Sequence, residues 1–119
     1  VDESFPVVVL VAEDPRSSHR ANEAVRIALG IAAGENDVRI ILSGPAVHLL
    51  DADTDELVDG DEIAKYRDAL KKMGVPFHIE ASSIPAAKGD WNENGHPVIP
   101  VSTADISGLI AGGRRVIVF

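Results

Sequence analysis

Most of the acid-base capacity of this 119-residue chain lies in its carboxylates and in four histidines, His19, His48, His78 and His96. No cysteine accompanies them, which excludes thiol catalysis, thiolate metal sites and disulfides together. His78 and Glu80 stand two residues apart, a spacing that puts both side chains on one face of a strand. His19 follows the first hydrophobic run, where ligands commonly meet an open α/β sheet. A His-carboxylate pair can move a proton, so His19, His78 and Glu80 define one function class, a small-molecule enzyme with acid/base groups. For each histidine the alternative is an ordinary hydrogen-bonded or surface position, and no two are spaced as a close metal-ligand pair.

Asp51, Asp53, Asp55, Asp59 and Glu62 fall at positions one, three, five, nine and twelve of a calcium loop. Position six requires glycine and holds Glu56, and residues 47–50 are too few for the entering helix. A solvated acidic loop leading into a helix N-terminus accounts for the same residues, because carboxylates gain there from the helix dipole. No metal and no cofactor is expected. Residues 13–19 place Arg16, two serines and His19 near a helix start, an arrangement able to hold an anion. They lack the glycines and lysine of a phosphate loop, and Ser43-Gly44-Pro45 lacks the spacing of a nucleophile elbow. Turns and a helix cap are the expectation at both places.

The hydrophobic pattern outlines the elements that must position these groups. Residues 7–12 are an unbroken apolar run, the signature of a strand covered on both faces. Ala21, Ala24, Val25, Ala28, Leu29 and Ala32 recur at helical spacing, with Ser17 or Ser18 as cap and Gly34 as stop. Residues 38–42 supply a second strand. Ile63, Tyr66, Ala69, Leu70 and Met73 mark the next helix, with Asp59 as its expected cap, Glu62 as reciprocal partner and Gly74 as terminator. Residues 75–79 predict the third strand, with Pro76 tolerated at its start. Ser82 and Ser83 are expected to cap a short helical turn through Ala86 and Ala87 that ends at Gly89.

The polar connection that follows carries Lys88, Asn92, Asn94 and the single tryptophan, Trp91. A loop Trp either lids a pocket or anchors a partner chain, and the partner contact is the favoured expectation. Residues 98–101 predict a short strand, Ser102 caps a helix containing Ile106, Leu109 and Ile110, and residues 116–119 close the sheet. The repeated β-α order predicts one domain over residues 1–119, a three-layer α/β sandwich around a mostly parallel sheet of about five strands. Strand order stays open.

Apolar residues make up 45% and charged residues 25% of the chain, the balance of a packed interior with a solvated surface. The net charge of -8 repels a nucleic-acid backbone, and basic residues adjoin only as the pairs Lys71-Lys72 and Arg114-Arg115, so no nucleic-acid partner is expected. No apolar run is long enough to span a bilayer, and Val1 is followed by acidic Asp2 and Glu3 rather than a positive signal segment. No membrane partner is expected, and the cytoplasm is the expected compartment.

Residues 7–10 with the small-residue helix after them, residues 38–42 followed by Gly44-Pro45-Ala46-Val47, the Met73-Gly74-Val75 junction and the closing Arg115-Val116-Ile117-Val118-Phe119 together resemble the DsrE/DsrF-like family of sulfur-relay proteins. The resemblance runs over nearly the whole chain. It implies a flavodoxin-like or related three-layer fold, assembly into oligomers such as a trimer or hexamer, and in active members a persulfide-bearing Cys just after the third strand. That Cys would fall around residues 80–83, which hold no sulfur atom here. A serine hydroxyl forms no analogous sulfane-sulfur species, so the chain is expected to be a diverged or noncatalytic subunit beside a separate thiol-bearing relay protein. Lys88 lies near where active relatives place a basic residue, which implies a surviving pocket for a partner or small anion at Ser82, Ser83 and Lys88.

Overall fold

The computed structural model describes residues 6–86, 89–113 and 115–119. The first apolar run forms β1 (Val7–Val11), and the small-residue stripe forms α1 (Arg20–Ala33). After β2 (Val38–Leu42) come a 3-10 helix (Gly44–Leu50), α2 (Gly60–Lys72) and β3 (Phe77–Glu80). A 3-10 turn (Ala81–Ser83) opens the long connection to β4 (Val98–Val101), which α3 (Thr103–Ala111) joins to β5 (Arg115–Val118). No helix among the described residues is long and apolar enough to cross a membrane.

The five strands lie in the order β4-β3-β2-β1-β5 and every pairing is parallel. From β1 to β4 the chain steps one strand at a time in one direction, then α3 carries it back past β1. Crossovers of one hand that travel in opposite directions land on opposite faces. The expected three-layer sandwich results. Ala21, Ala24, Val25 and Ala28 of α1 and Ile63 and Leu70 of α2 pack on Val9, Val11, Ile40, Leu42, Phe77 and Ile79 of the sheet. Alanine lets α1 approach the sheet closely, and the 3-10 helix adds Val47, Leu49 and Leu50 to the same core. Among the described residues the opposite face carries α3, whose Ile106 meets Val8 and Ile41.

Local readings of the sequence give way at four places. α1 starts at Arg20 with His19 at the cap position and no capping bond from its side chain; Ser18, one residue earlier, accepts the Arg20 N–H through Oγ at 3.1 Å. Asp59 has left-handed backbone (φ 59°, ψ 38°) and no capping side-chain bond, while Glu62 accepts from Asn22 Nδ2 of α1 at 2.9 Å instead of reaching back. The tight entry to α2 leaves no room at Gly60, where a Cβ would lie 2.1 Å from the Thr54 carbonyl oxygen. Ala81–Ser83 is itself the turn, so Ser82 and Ser83 cap no helix within the described residues; Ala87 and Lys88 lie outside them.

Trp91 overturns the expectation of a lid or partner anchor, because it is core. Only 7% of its surface is exposed, and its indole N–H donates to the Val47 carbonyl at 2.8 Å. An antiparallel bridge between Asp51 and Trp91 fixes the backbone on both sides. Trp91→Phe keeps an aromatic ring but removes the buried indole bond to the Val47 carbonyl, so a loss of about 0.5–1.5 kcal/mol in stability is expected from chemical denaturation. An unchanged denaturation midpoint would show that the indole bond holds nothing in place.

Candidate functional site

Parallel pairing brings the carboxyl ends of β2, β3 and β4 to one edge of the sheet, with Leu42 beside Ile79 and Glu80 beside Val101. Glu80, the last residue of β3, is the centre of the polar groups gathered there. Its Oε1 accepts from Ser83 Oγ at 2.8 Å and from Ser43 Oγ, just beyond β2, at 3.2 Å. Its Oε2 accepts from Thr103 Oγ1, at the start of α3, at 3.1 Å. Ser83 Oγ in turn accepts the Gly44 N–H at 3.0 Å, tying the turn after β3 to the 3-10 helix after β2.

These bonds favour the ionised carboxylate. The hydroxyl of Ser83, then that of Thr103, holds the Glu80 pKa below the ordinary glutamate value, with Ser43 adding to the effect. A carboxylate so stabilised is a weak general base and a good fixed negative charge. Ser43, Gly44 and Thr103 were not among the residues that spacing singles out. Ser43 follows the end of β2 directly, Gly44 and Thr103 lie two residues past the ends of β2 and β4, and a parallel sheet places such positions on one edge.

His78 shares the Glu80 face but lies one step down the strand, level with Ile41 and Ile99. It is 9% exposed, and burial, followed by the positive charge of Arg39, lowers its pKa so that the neutral ring prevails at pH 7. Its Nδ1 has no partner among the described residues. His19 is exposed and stands 3.6 Å from Glu23 on its own helix. No hydrogen bond among the described residues joins His19, His78 and Glu80 to one another. Ser82 is exposed beside the Glu80 network, and Lys88 lies outside the described residues.

The acidic segment is occupied within the fold. Asp51 pairs with His48 at 3.0 Å, Asp53 accepts the Asp55 N–H at 2.9 Å, and Glu62 serves Asn22. Among the described residues no group of three or more His, Cys, Asp or Glu side chains is placed to hold a metal ion. In the first strand-to-helix connection, Arg16 is forked onto Asp14, with Nε to Oδ1 at 3.0 Å and Nη2 to Oδ2 at 2.9 Å. The connection is a turn closed on its own charges.

Because the folded state lowers the Glu80 pKa, its contribution to stability is complete above the ordinary glutamate value of about 4.3 and is lost as pH falls through the lower folded value. Glu80→Gln is therefore expected to reduce stability at neutral pH and to flatten the decline of Tm on acidification below about pH 5. Thermal melts of both proteins across that range check this. Parallel curves would mean that Glu80 titrates alike in the folded and unfolded chains.

The sequence matches the DsrE/DsrF-like family over residues 6–119. Among solved structures, the chain resembles "Crystal structure of ychN protein from E.coli", with a TM-score of 0.72 and 16% sequence identity over 97% of this chain and 99% of that one. At such low identity the likeness establishes the fold. A comparison with curated proteins finds no match. With a match from residue 6 to residue 119 and a five-stranded parallel sheet between helices, this chain belongs to the DsrE/DsrF-like family, as a member without the active-site cysteine.

Proposed function

We propose that this chain is a non-thiol subunit of a sulfur-relay assembly, joined to copies of itself and to a separate thiol-bearing protein. The network of Ser43, Glu80, Ser83 and Thr103 carries the proposal. It stands where the family resemblance puts a persulfide-bearing Cys, and it holds an ionised carboxylate locked by hydroxyls in place of a thiolate. Persulfide chemistry needs a sulfur nucleophile, and these 119 residues contain no Cys. A fixed carboxylate at an open sheet edge suits hydrogen-bond donors and cationic groups of a partner. A small anion held by Ser82, Ser83 and Lys88 is the other occupant of this edge, and the Glu80 charge works against it.

The incompletely covered face of the sheet supports self-association. Val116 and Val118 are the register partners of Val8 and Leu10 on the α3 side, Ile99 is that of His78, and all three stay exposed, Val118 to 58%. Burying an exposed valine or isoleucine in full is worth roughly 1.5–3 kcal/mol. A trimer, or a hexamer built from trimers, would cover them.

Purified protein incubated with a persulfide donor and a candidate thiol partner is expected to form a complex and to change sulfur arrival on that partner. Lys88→Ala should weaken partner or anion binding with little change in Tm. No complex and no change in transfer would reject the relay-subunit role, and turnover of another substrate lost on His19→Ala or His78→Ala would move the assignment to the enzyme class. Sedimentation is expected to show a trimer or hexamer that Val118→Glu breaks down. A monomer throughout the micromolar range would overturn the self-association.

A further inference from the structure

A concavity of about 340 Å³ lies between α2 and the connection that leads into β4. Ala64, Arg67, Asp68 and Lys71 reach it from α2 at the spacing of one helical face. The opposite wall is residues 92–96, and it is rigidly built. Asn92 has left-handed backbone (φ 54°), and its side chain brackets His96, donating to its carbonyl and accepting its N–H, both at 3.0 Å. The His96 ring packs on Phe77 with centroids 4.5 Å apart, and its Nε2 lies 3.1 Å from the Val75 carbonyl. A carbonyl only accepts, so Nε2 carries the ring proton.

Arg67 is the unusual group in this wall. It is 6% exposed, and its Nη1 donates to the carbonyls of Leu49 at 2.8 Å and Asp51 at 2.7 Å. Among the described residues it forms no salt bridge and its side-chain hydrogen bonds all come from Nη1, while the residue lines the cavity. Two carbonyls satisfy hydrogen bonds without supplying a counter-charge, and the carboxylates of Asp51, Asp68 and Asp90 act on Arg67 without forming a salt bridge among the described residues, which leaves a buried cation only partly compensated. Lys71 adds a second cation, its Nζ donating to the Asn94 carbonyl on the facing wall. Asp68, the one carboxylate that lines the cavity among the described residues, pairs with Lys72 at 3.0 Å. In a chain of net charge -8 this cavity therefore gathers positive charge beside a small apolar wall of Ala52 and Ala64.

We propose that this cavity binds a small organic oxyanion, its carboxylate or phosphate head on Arg67 and Lys71 and a short apolar tail on Ala52 and Ala64. The planar guanidinium fork matches both head groups, and the preset wall lowers the ordering cost of binding. The site shares no residue with the Glu80 edge and stands independently of the relay role.

Titration of isotope-labelled protein with sodium propionate and with sodium phosphate, against sodium chloride at matched ionic strength, tests this directly. At least one of the two is expected to give saturable amide shifts confined to residues 52, 64, 67, 71 and 92–96, and none should appear with chloride. Propionate alone would assign a carboxylate head and phosphate alone a phosphate head. Lys71→Gln keeps a donor for Asn94 and is expected to raise Kd about tenfold. Arg67 also holds Leu49 and Asp51, so Arg67→Lys, which keeps the charge and loses the fork, is measured with its Tm and should weaken binding in a folded protein. Shifts that do not saturate, that spread over other basic residues, or that survive Lys71→Gln unchanged would overturn the proposal.

Discussion

Every strand of the sheet runs in the same direction, so no two neighbours can be joined by a tight turn and each connection must return along the outside of the sheet. The rest of the molecule follows from that requirement. Both faces must carry connecting segments, which is why β1 reads as a continuous apolar run rather than an alternating one, and β2 departs from that only at Arg39 near its start. All strand carboxyl ends share one edge, and polar residues at or just past them, Ser43, Glu80 and Thr103, meet there although they are distant in sequence.

The two faces are unequally filled because the connections are unequally shared between them. α1, α2 and the 3-10 helix lie on one side and bury Phe77, Ile79, Ile40 and Leu42 completely. On the other side, among the described residues, the nine-residue α3 is too short to cover a five-stranded sheet. Ile106 anchors it, and the flanks of the sheet at Ile99, Val116 and Val118 remain in solvent. Among the described residues, the connection from β3 to β4 adds nothing to the buried cluster under α3. It turns back toward the first, where Trp91 fills the space beside Val47 and bonds its carbonyl.

Polar groups in the interior hold these layers in relation to each other. Asn22 and Glu62 link α1 to α2, Arg67 fixes the end of the 3-10 helix through two carbonyls, and His96 bonds Val75 ahead of β3. Glu80 and Arg67 show opposite solutions to placing a charge in a fold. Glu80 sits at an open edge surrounded by hydroxyl donors, whereas Arg67 is buried with carbonyls on one side and a cavity on the other. Burial lowers the Arg67 pKa from its ordinary value, against the attraction of more distant carboxylates led by Asp51.

Residue pattern by itself determined the class of the fold, the sites of most elements and one chemical exclusion. Uninterrupted apolar runs require cover on two faces, alanines at helical spacing make a helix that can sit close on a sheet, and Ser102 caps α3 through the Asp105 N–H as its spacing indicates. The lack of cysteine rules out persulfide on these residues in any fold. Tertiary structure alone decided strand order, the gathering of Ser43 and Thr103 around Glu80, and the facing of Arg67 and Lys71 toward His96. It also decided where local signals lost. Asp59 gave up its cap because the close approach of Gly60 to Thr54 sets the backbone there, and Trp91 left the surface because Val47 offered its indole a buried acceptor. Periodicity records which side of an element is apolar, whereas these outcomes depend on contacts between residues far apart in the chain, whose distances exist only after the sheet has formed.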